Sequence, residues 1–67
     1  MPNTSKMIPY HWTEDAMRTD PTDYATFEAA AEAKDAAVAA WAKNATRYSP
    51  EWRVYHGTEV LEWSRVS

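Results

Sequence analysis

A chain of 67 residues with a net charge of −3 and no cysteine has room for one domain, and it excludes disulfides and thiolate metal sites. Its two histidines are His11 and His56, so a structural zinc site would need carboxylates at no recognisable ligand spacing. No run reaches the roughly 20 apolar residues of a membrane-spanning helix, and Met1-Pro2-Asn3-Thr4-Ser5-Lys6 lacks an apolar signal core; a cytoplasmic protein without a membrane partner is expected.

Residues 1–6 show no pattern and are expected to be disordered within a single domain spanning 1–67. After them Ile8, Tyr10 and Trp12 alternate with Met7, Pro9 and His11, the period of a short strand that Pro9 confines to a sheet edge. Thr13 then reads as the cap of a single helical turn through Glu14-Asp15-Ala16-Met17.

The clearest element is the alanine-rich stretch Thr26 to Arg47, built from the best helix former. Two start signals compete. Asp20 is placed to cap a helix with Pro21 at its first position, or Thr26 caps one that begins at Phe27. Proline is well tolerated at a first helical position, which favours the earlier start. Pro50 is expected to end the helix, because the residue before a proline is pushed out of helical geometry. At about 100° per residue, Phe27, Val38, Trp41, Ala45 and Tyr48 share one side, while Glu28, Glu32 and Asp35 share the opposite one. Lys34 falls in the apolar sector, where its stem can pack while its ammonium reaches water.

The last segment reads as a hairpin. A two-residue loop at Gly57-Thr58, of the type with glycine first, sets His56 opposite Glu59, Tyr55 opposite Val60, Val54 opposite Leu61, Arg53 opposite Glu62 and Trp52 opposite Trp63. One face then collects Trp52, Val54, Leu61 and Trp63, and the other carries the Arg53–Glu62 ion pair. An isolated hairpin is marginal in water and needs a third strand or a helix over it. The fold class is therefore α+β: one long amphipathic helix packed on a small antiparallel sheet, in the order β-α-β-β.

Little in the chain supports catalysis. No Ser–His–Asp order, phosphate-binding glycine loop or zinc-helix motif is present, and Gly57, the one glycine, is taken by the hairpin turn. No catalytic residue, cofactor or metal is expected, and the protein is read as a non-enzyme. Aromatic rings on a sheet can stack bases, but Tyr10, Trp12, Trp52 and Trp63 are expected to face the helix that carries Phe27, Val38, Trp41 and Tyr48. Tyr24, Tyr55 and one of the tryptophans remain as exposed anchors. Direct nucleic-acid binding is not expected, because no basic stripe accompanies the rings.

The charge is unevenly spread. Glu14, Asp15, Asp20, Asp23, Glu28, Glu32 and Asp35 face only Arg18 and Lys34 in the same stretch. Along the helix the carboxylates lack lysines four residues on, and like charges at that spacing cost a few tenths of a kcal/mol each. A solvated helix face accounts for part of this. Carboxylates about 6 Å apart also approximate the spacing of DNA phosphates, which suggests a basic cleft as the partner. These seven acids are the candidate partner-binding residues.

A short cysteine-free chain rich in Ala and Trp, with Glu28-x3-Glu32-x2-Asp35 on one helix face, resembles the small accessory proteins of bacteriophages that infect high-GC hosts. Some of that group are acidic DNA mimics that inhibit host gyrase, RNA polymerase or CRISPR effectors. The resemblance is one of composition and architecture, with no specific motif, and transfers no site residue. It implies an inhibitor, acting in the host cytoplasm, of a larger protein with a basic nucleic-acid-binding surface. The alternative from another class is an assembly accessory that associates through its alanine-rich helix. A homodimer through Ala29, Ala33, Ala36, Ala37 and Ala40 is expected on either reading.

Overall fold

A computed structural model describes residues 7–44 and 48–65. It has one helix and a three-stranded antiparallel sheet, in the chain order β1 (Tyr10–Glu14), α1 (Phe27–Lys43), β2 (Glu51–His56) and β3 (Glu59–Arg65). The expected β-α-β-β order and α+β class are observed. The strand order β1-β2-β3 places β2 at the centre, and the helix lies across β1 and β2 rather than β3. Residues 1–6 and Ala45, with their expected disorder and helix-face placement, lie outside the described residues.

Trp12, Ala30, Trp52 and Val54 form the core, with Tyr10, Tyr24, Phe27, Ala33, Ala37, Val38 and Trp41 packed around it. Trp52 contacts Trp12 at a centroid distance of 6.0 Å and meets Trp41 edge-on at 6.5 Å. Each ring removes a large apolar area from water, and the tilted contacts are those the ring quadrupoles favour. Ala30 is fully buried because a methyl side chain lets the helix backbone approach the sheet.

The helix starts at the later of the two signals. Thr26 is extended (φ −136°, ψ 158°) and its Oγ1 accepts the Ala29 N–H at 3.1 Å. The earlier start at Asp20 fails for a reason beyond local propensity. The Asp20 carboxylate is taken by Trp12 and Tyr24, and the Tyr24 backbone bridges Tyr10. The other end also differs from expectation: the helix stops at Lys43, with Asn44 as its C-cap, well before Pro50. Tyr48 is outside the helix and exposed, so it does not join the apolar side.

The strand expected near Tyr10 is present, but the helical turn after Thr13 is not. Thr13 continues β1 and is buried. The chain reverses at Asp15 and Ala16, both left-handed (φ 57° and 64°), and Met17 bridges back to Glu14. Two successive left-handed residues make a tight hairpin turn, which Asp15 tolerates better than Ala16 does.

In the C-terminal hairpin Gly57 has φ +64°, as the glycine-first turn requires. A Cβ there would stand 2.8 Å from Ile8 Cγ2. The pairs His56–Glu59 and Tyr55–Val60 match the expected register. Beyond them a bulge inserts one residue, Leu61, and the register becomes Val54–Glu62, Arg53–Trp63, Trp52–Ser64 and Glu51–Arg65. The expected pairs Val54–Leu61, Arg53–Glu62 and Trp52–Trp63 are therefore wrong. One extra residue exchanges the faces of every side chain after it. Glu62 turns to the helix side, where it meets Lys34 at 3.0 Å, and Trp63 turns away from the helix and is 55% exposed.

Truncation separates the two tryptophans that the unbulged register would make equivalent. Trp52→Ala is expected to cost about 3–5 kcal/mol, as for large rings in cores. Trp63→Ala should stay within about 0.5 kcal/mol of the parent in the monomer. Chemical denaturation of the two variants checks this; equal losses would restore the unbulged pairing.

Candidate functional site

The seven acidic candidates separate into those of the β1 turn and the loop that follows, and those of the helix stripe. Asp20 is the most engaged. Its Oδ2 accepts the Tyr24 hydroxyl at 2.6 Å and the Trp12 indole N–H at 3.0 Å, and its Oδ1 accepts the Thr22 N–H at 2.9 Å. The Tyr24 hydrogen bond first, and the Thr22 N–H after it, hold the Asp20 pKa down to about 2. The same contact raises Tyr24, whose proton is held on the hydroxyl by the carboxylate. This is a joint between the β1 side of the core and the loop that leads to the helix.

Arg18 closes that loop. Its guanidinium donates to the carbonyls of Asp20, Pro21 and Thr22 and pairs with the Asp23 carboxylate. Asp23 is thus neutralised locally. Asp15, in the tight turn, exchanges backbone contact with Glu51 (Asp15 N–H to Glu51 O, 2.7 Å) and its Oδ1 accepts the Glu51 N–H at 3.2 Å. Glu14 is half-buried at the end of β1. Asp20, Asp23 and Asp15 fix the loop and the turn, and Glu14 stands half-buried at the strand end, so the continuous acidic block expected from Glu14 to Asp35 divides in two.

What remains is the helix stripe. Glu28, Glu32 and Asp35 are all exposed on the outward side of α1. Glu28, in the first turn, complements the positive end of the helix dipole. Asp35 lies 2.9 Å from the Lys34 ammonium. Lys34 is only 7% exposed, so its ammonium does not escape to water as expected but ends between Asp35 and Glu62. Burial pulls its pKa down, and the hydrogen bonds and attraction of the two carboxylates outweigh that and leave it raised. Glu28 and Glu32 have no hydrogen bond or ion pair among the described residues.

The face of the sheet away from the helix carries a set that periodicity alone does not reveal. His11 stacks on Tyr55 at 4.8 Å with planes 4° apart. Arg53 and Arg65 both grip Glu51, at 2.9 and 2.8 Å, and Trp63 lies opposite Arg53. Burial first, and the nearby Arg18 charge second, lower the His11 pKa against the pull of Asp23. His56, at the hairpin tip opposite Glu59, stacks on Tyr10 at 4.2 Å. The two histidines belong to separate ring stacks. Tyr24 and Tyr55, expected as exposed anchors, are half-buried; among the described residues the exposed rings are Trp63 and Tyr48.

Among the described residues no cavity opens, no three His, Asp or Glu side chains converge on a metal position, and no helix is long and apolar enough to cross a membrane.

The two lowered pKa values fix the sign of an acid dependence. A group whose pKa is lower folded than unfolded favours the native state above its unfolded value, and that contribution disappears as pH falls through the folded one. His11 therefore withdraws stability first, as pH drops below the ordinary histidine value of about 6.5. Asp20 follows between the ordinary carboxylate value of about 3.9 and its own lowered value. Asp20→Ala should leave the Trp12 indole N–H without its acceptor, cost about 1–3 kcal/mol and flatten the second step. Thermal melts across this range, with an NMR titration of the His11 ring, check both; a His11 that titrates above the ordinary value contradicts the assignment.

Comparison with protein-family models, curated proteins and solved structures gives no match to this chain. Its functional reading rests on the residues and their geometry.

Proposed function

We propose that the protein is a binding module that presents Glu28, Glu32 and Asp35 to the basic, nucleic-acid-binding surface of a larger protein and blocks it by imitating phosphates. The observation that carries this reading is the pair Glu28 and Glu32, exposed four residues apart on a rigid helix and uncompensated among the described residues. Surface helices commonly relieve such repulsion with lysine at i+4; here the positions four on from Glu28 and Glu32 are Glu32 and Ala36. A row of carboxylates that keeps its mutual repulsion gains most when a cationic surface meets it. Asp15, Asp20 and Asp23 leave the binding set in this proposal because the fold uses their carboxylates, and Glu14 leaves it because it is half-buried.

A second reading, an assembly accessory, is favoured by a different observation. Ala36, Ala39 and Ala40 are exposed on the same outward side of the helix, where small side chains admit another backbone. Ala33 and Ala37 pack against the core, which narrows the alanine surface first envisaged. The two readings differ on salt, since binding through exposed charges weakens with ionic strength and apolar assembly does not.

The test is competition with DNA for the partner, with the triple variant Glu28→Gln, Glu32→Gln, Asp35→Asn beside the parent. The variant should remain folded, because Lys34 keeps Glu62, and should lose partner binding. Removing buried charge pairs across an interface costs about 2–5 kcal/mol each and rim charges mainly slow association, so a loss of at least tenfold in affinity (about 1.4 kcal/mol) is expected. If the neutralised variant binds as tightly as the parent, or if the partner holds DNA and this protein together, phosphate mimicry fails.

A further inference from the structure

The sheet has two edges, and the chain treats them differently. The outer edge of β1 is closed at both ends. Tyr10 and Tyr24 exchange backbone hydrogen bonds of 2.9 and 2.8 Å, and Glu14 and Met17 exchange two of 2.9 Å. On the outer edge of β3 no backbone group of the described residues is paired. An open edge presents a row of free N–H and C=O groups to any strand that can lie beside it.

Natural edges are usually blunted by lysine, by proline or by shortness. β3 has seven residues, Glu-Val-Leu-Glu-Trp-Ser-Arg, and neither lysine nor proline. Instead it carries Val60, Leu61 and Trp63, exposed by 47, 43 and 55%. Its guards are the bulge at Leu61 and the charges of Glu59, Glu62 and Arg65. Of these, Glu62 is held by Lys34 and Arg65 by Glu51, and the half from Glu62 to Arg65 keeps a regular ladder to β2.

We propose that β3 is a dimerisation edge, at which two copies of this chain pair the Leu61–Arg65 part of β3 antiparallel about a two-fold axis at Trp63. The two sheets then continue as one of six strands. The register follows from the pleat, since directly opposed residues must share a face. Centring on Trp63 sets Trp63 against Trp63 and Leu61 against the stem of Arg65 on one face, and Glu62 against Ser64 on the other. No like charges are opposed. Centring on Glu62 would oppose two carboxylates, and centring on Ser64 would use only the end of the strand. The Trp63-centred register is complementary to itself, which is why a second copy, rather than a foreign strand, is the occupant. This association is independent of the acidic stripe, which lies on the outward side of the helix.

Because the chain has no cysteine, a single introduced thiol reports the axis directly. Residues directly opposed across antiparallel strands have Cβ atoms about 4.5–5.5 Å apart, close to what a disulfide needs. Trp63→Cys should therefore crosslink into a covalent dimer under mild oxidation. Ala36→Cys, on the outward helix face, should not. In sedimentation the parent should be a dimer at micromolar concentration, and Trp63→Lys, which opposes two ammonium groups at the axis, should raise the dissociation constant tenfold or more with unchanged far-UV circular dichroism. A monomeric parent overturns the proposal, as does an Ala36→Cys crosslink without a Trp63→Cys one, which would move the interface to the helix. A parent that is monomeric alone but accepts an added β-strand peptide would likewise replace the second copy by a foreign strand.

Discussion

The contact on which this fold depends is Trp52 lying under Trp12 and against Trp41. One ring, 1% exposed, ties the central strand to the first strand and to the helix. A domain of this length buries only about 60% of the surface of its unfolded chain, so a few large rings must do what a broad core does elsewhere. The central position of β2 follows from the same constraint. A strand with Trp52 and Val54 on one face is best satisfied with a neighbour on each side and a helix above. The Trp52 indole N–H and the Thr13 hydroxyl are buried without a hydrogen bond among the described residues, which indicates how far apolar packing has displaced polar satisfaction.

The bulge in β3 is the second organising feature, and Lys34 is its physical counterpart. A lysine in the apolar sector of a helix must either reach water or find a carboxylate. By inserting Leu61 into the ladder, the chain turns Glu62 to the helix side and supplies that carboxylate at 3.0 Å. The same rotation turns Trp63 outward. An ion pair at the edge of the core and an exposed tryptophan on the open face are thus two consequences of one extra residue. Because α1 lies over β1 and β2, a Trp63 on the helix side would have found little to cover it.

The acids show how charge in a small domain divides between architecture and surface. Asp20 replaces a helix cap by a joint between two rings, and Asp15 and Asp23 hold a tight turn and a loop. Each is spent on a backbone N–H, a ring donor or Arg18, where a carboxylate gains more than it would facing water. Among the described residues Glu28 and Glu32 make no hydrogen bond or ion pair, whereas Asp35 is shared with Lys34, and that difference singles out the pair Glu28 and Glu32.

The sequence by itself determined the element order, the amphipathic helix, the glycine-first turn and most of the core: Trp12, Trp52, Val54, Phe27, Val38 and Trp41. These follow from local rules, namely alanine propensity, the 3.6- and 2-residue periods and the positive φ that Gly57 supplies. The outward position of Glu28, Glu32 and Asp35 was legible for the same reason. Only the tertiary structure decided between Asp20 and Thr26 as the helix start, because Asp20 is claimed by Trp12, eight residues earlier, and by Tyr24. Only it decided the register beyond Tyr55, because two pairings of similar local merit were separated by the need of Lys34, distant in the chain, for a carboxylate. Local signals rank the options within a segment, and competition for a distant partner chooses among them.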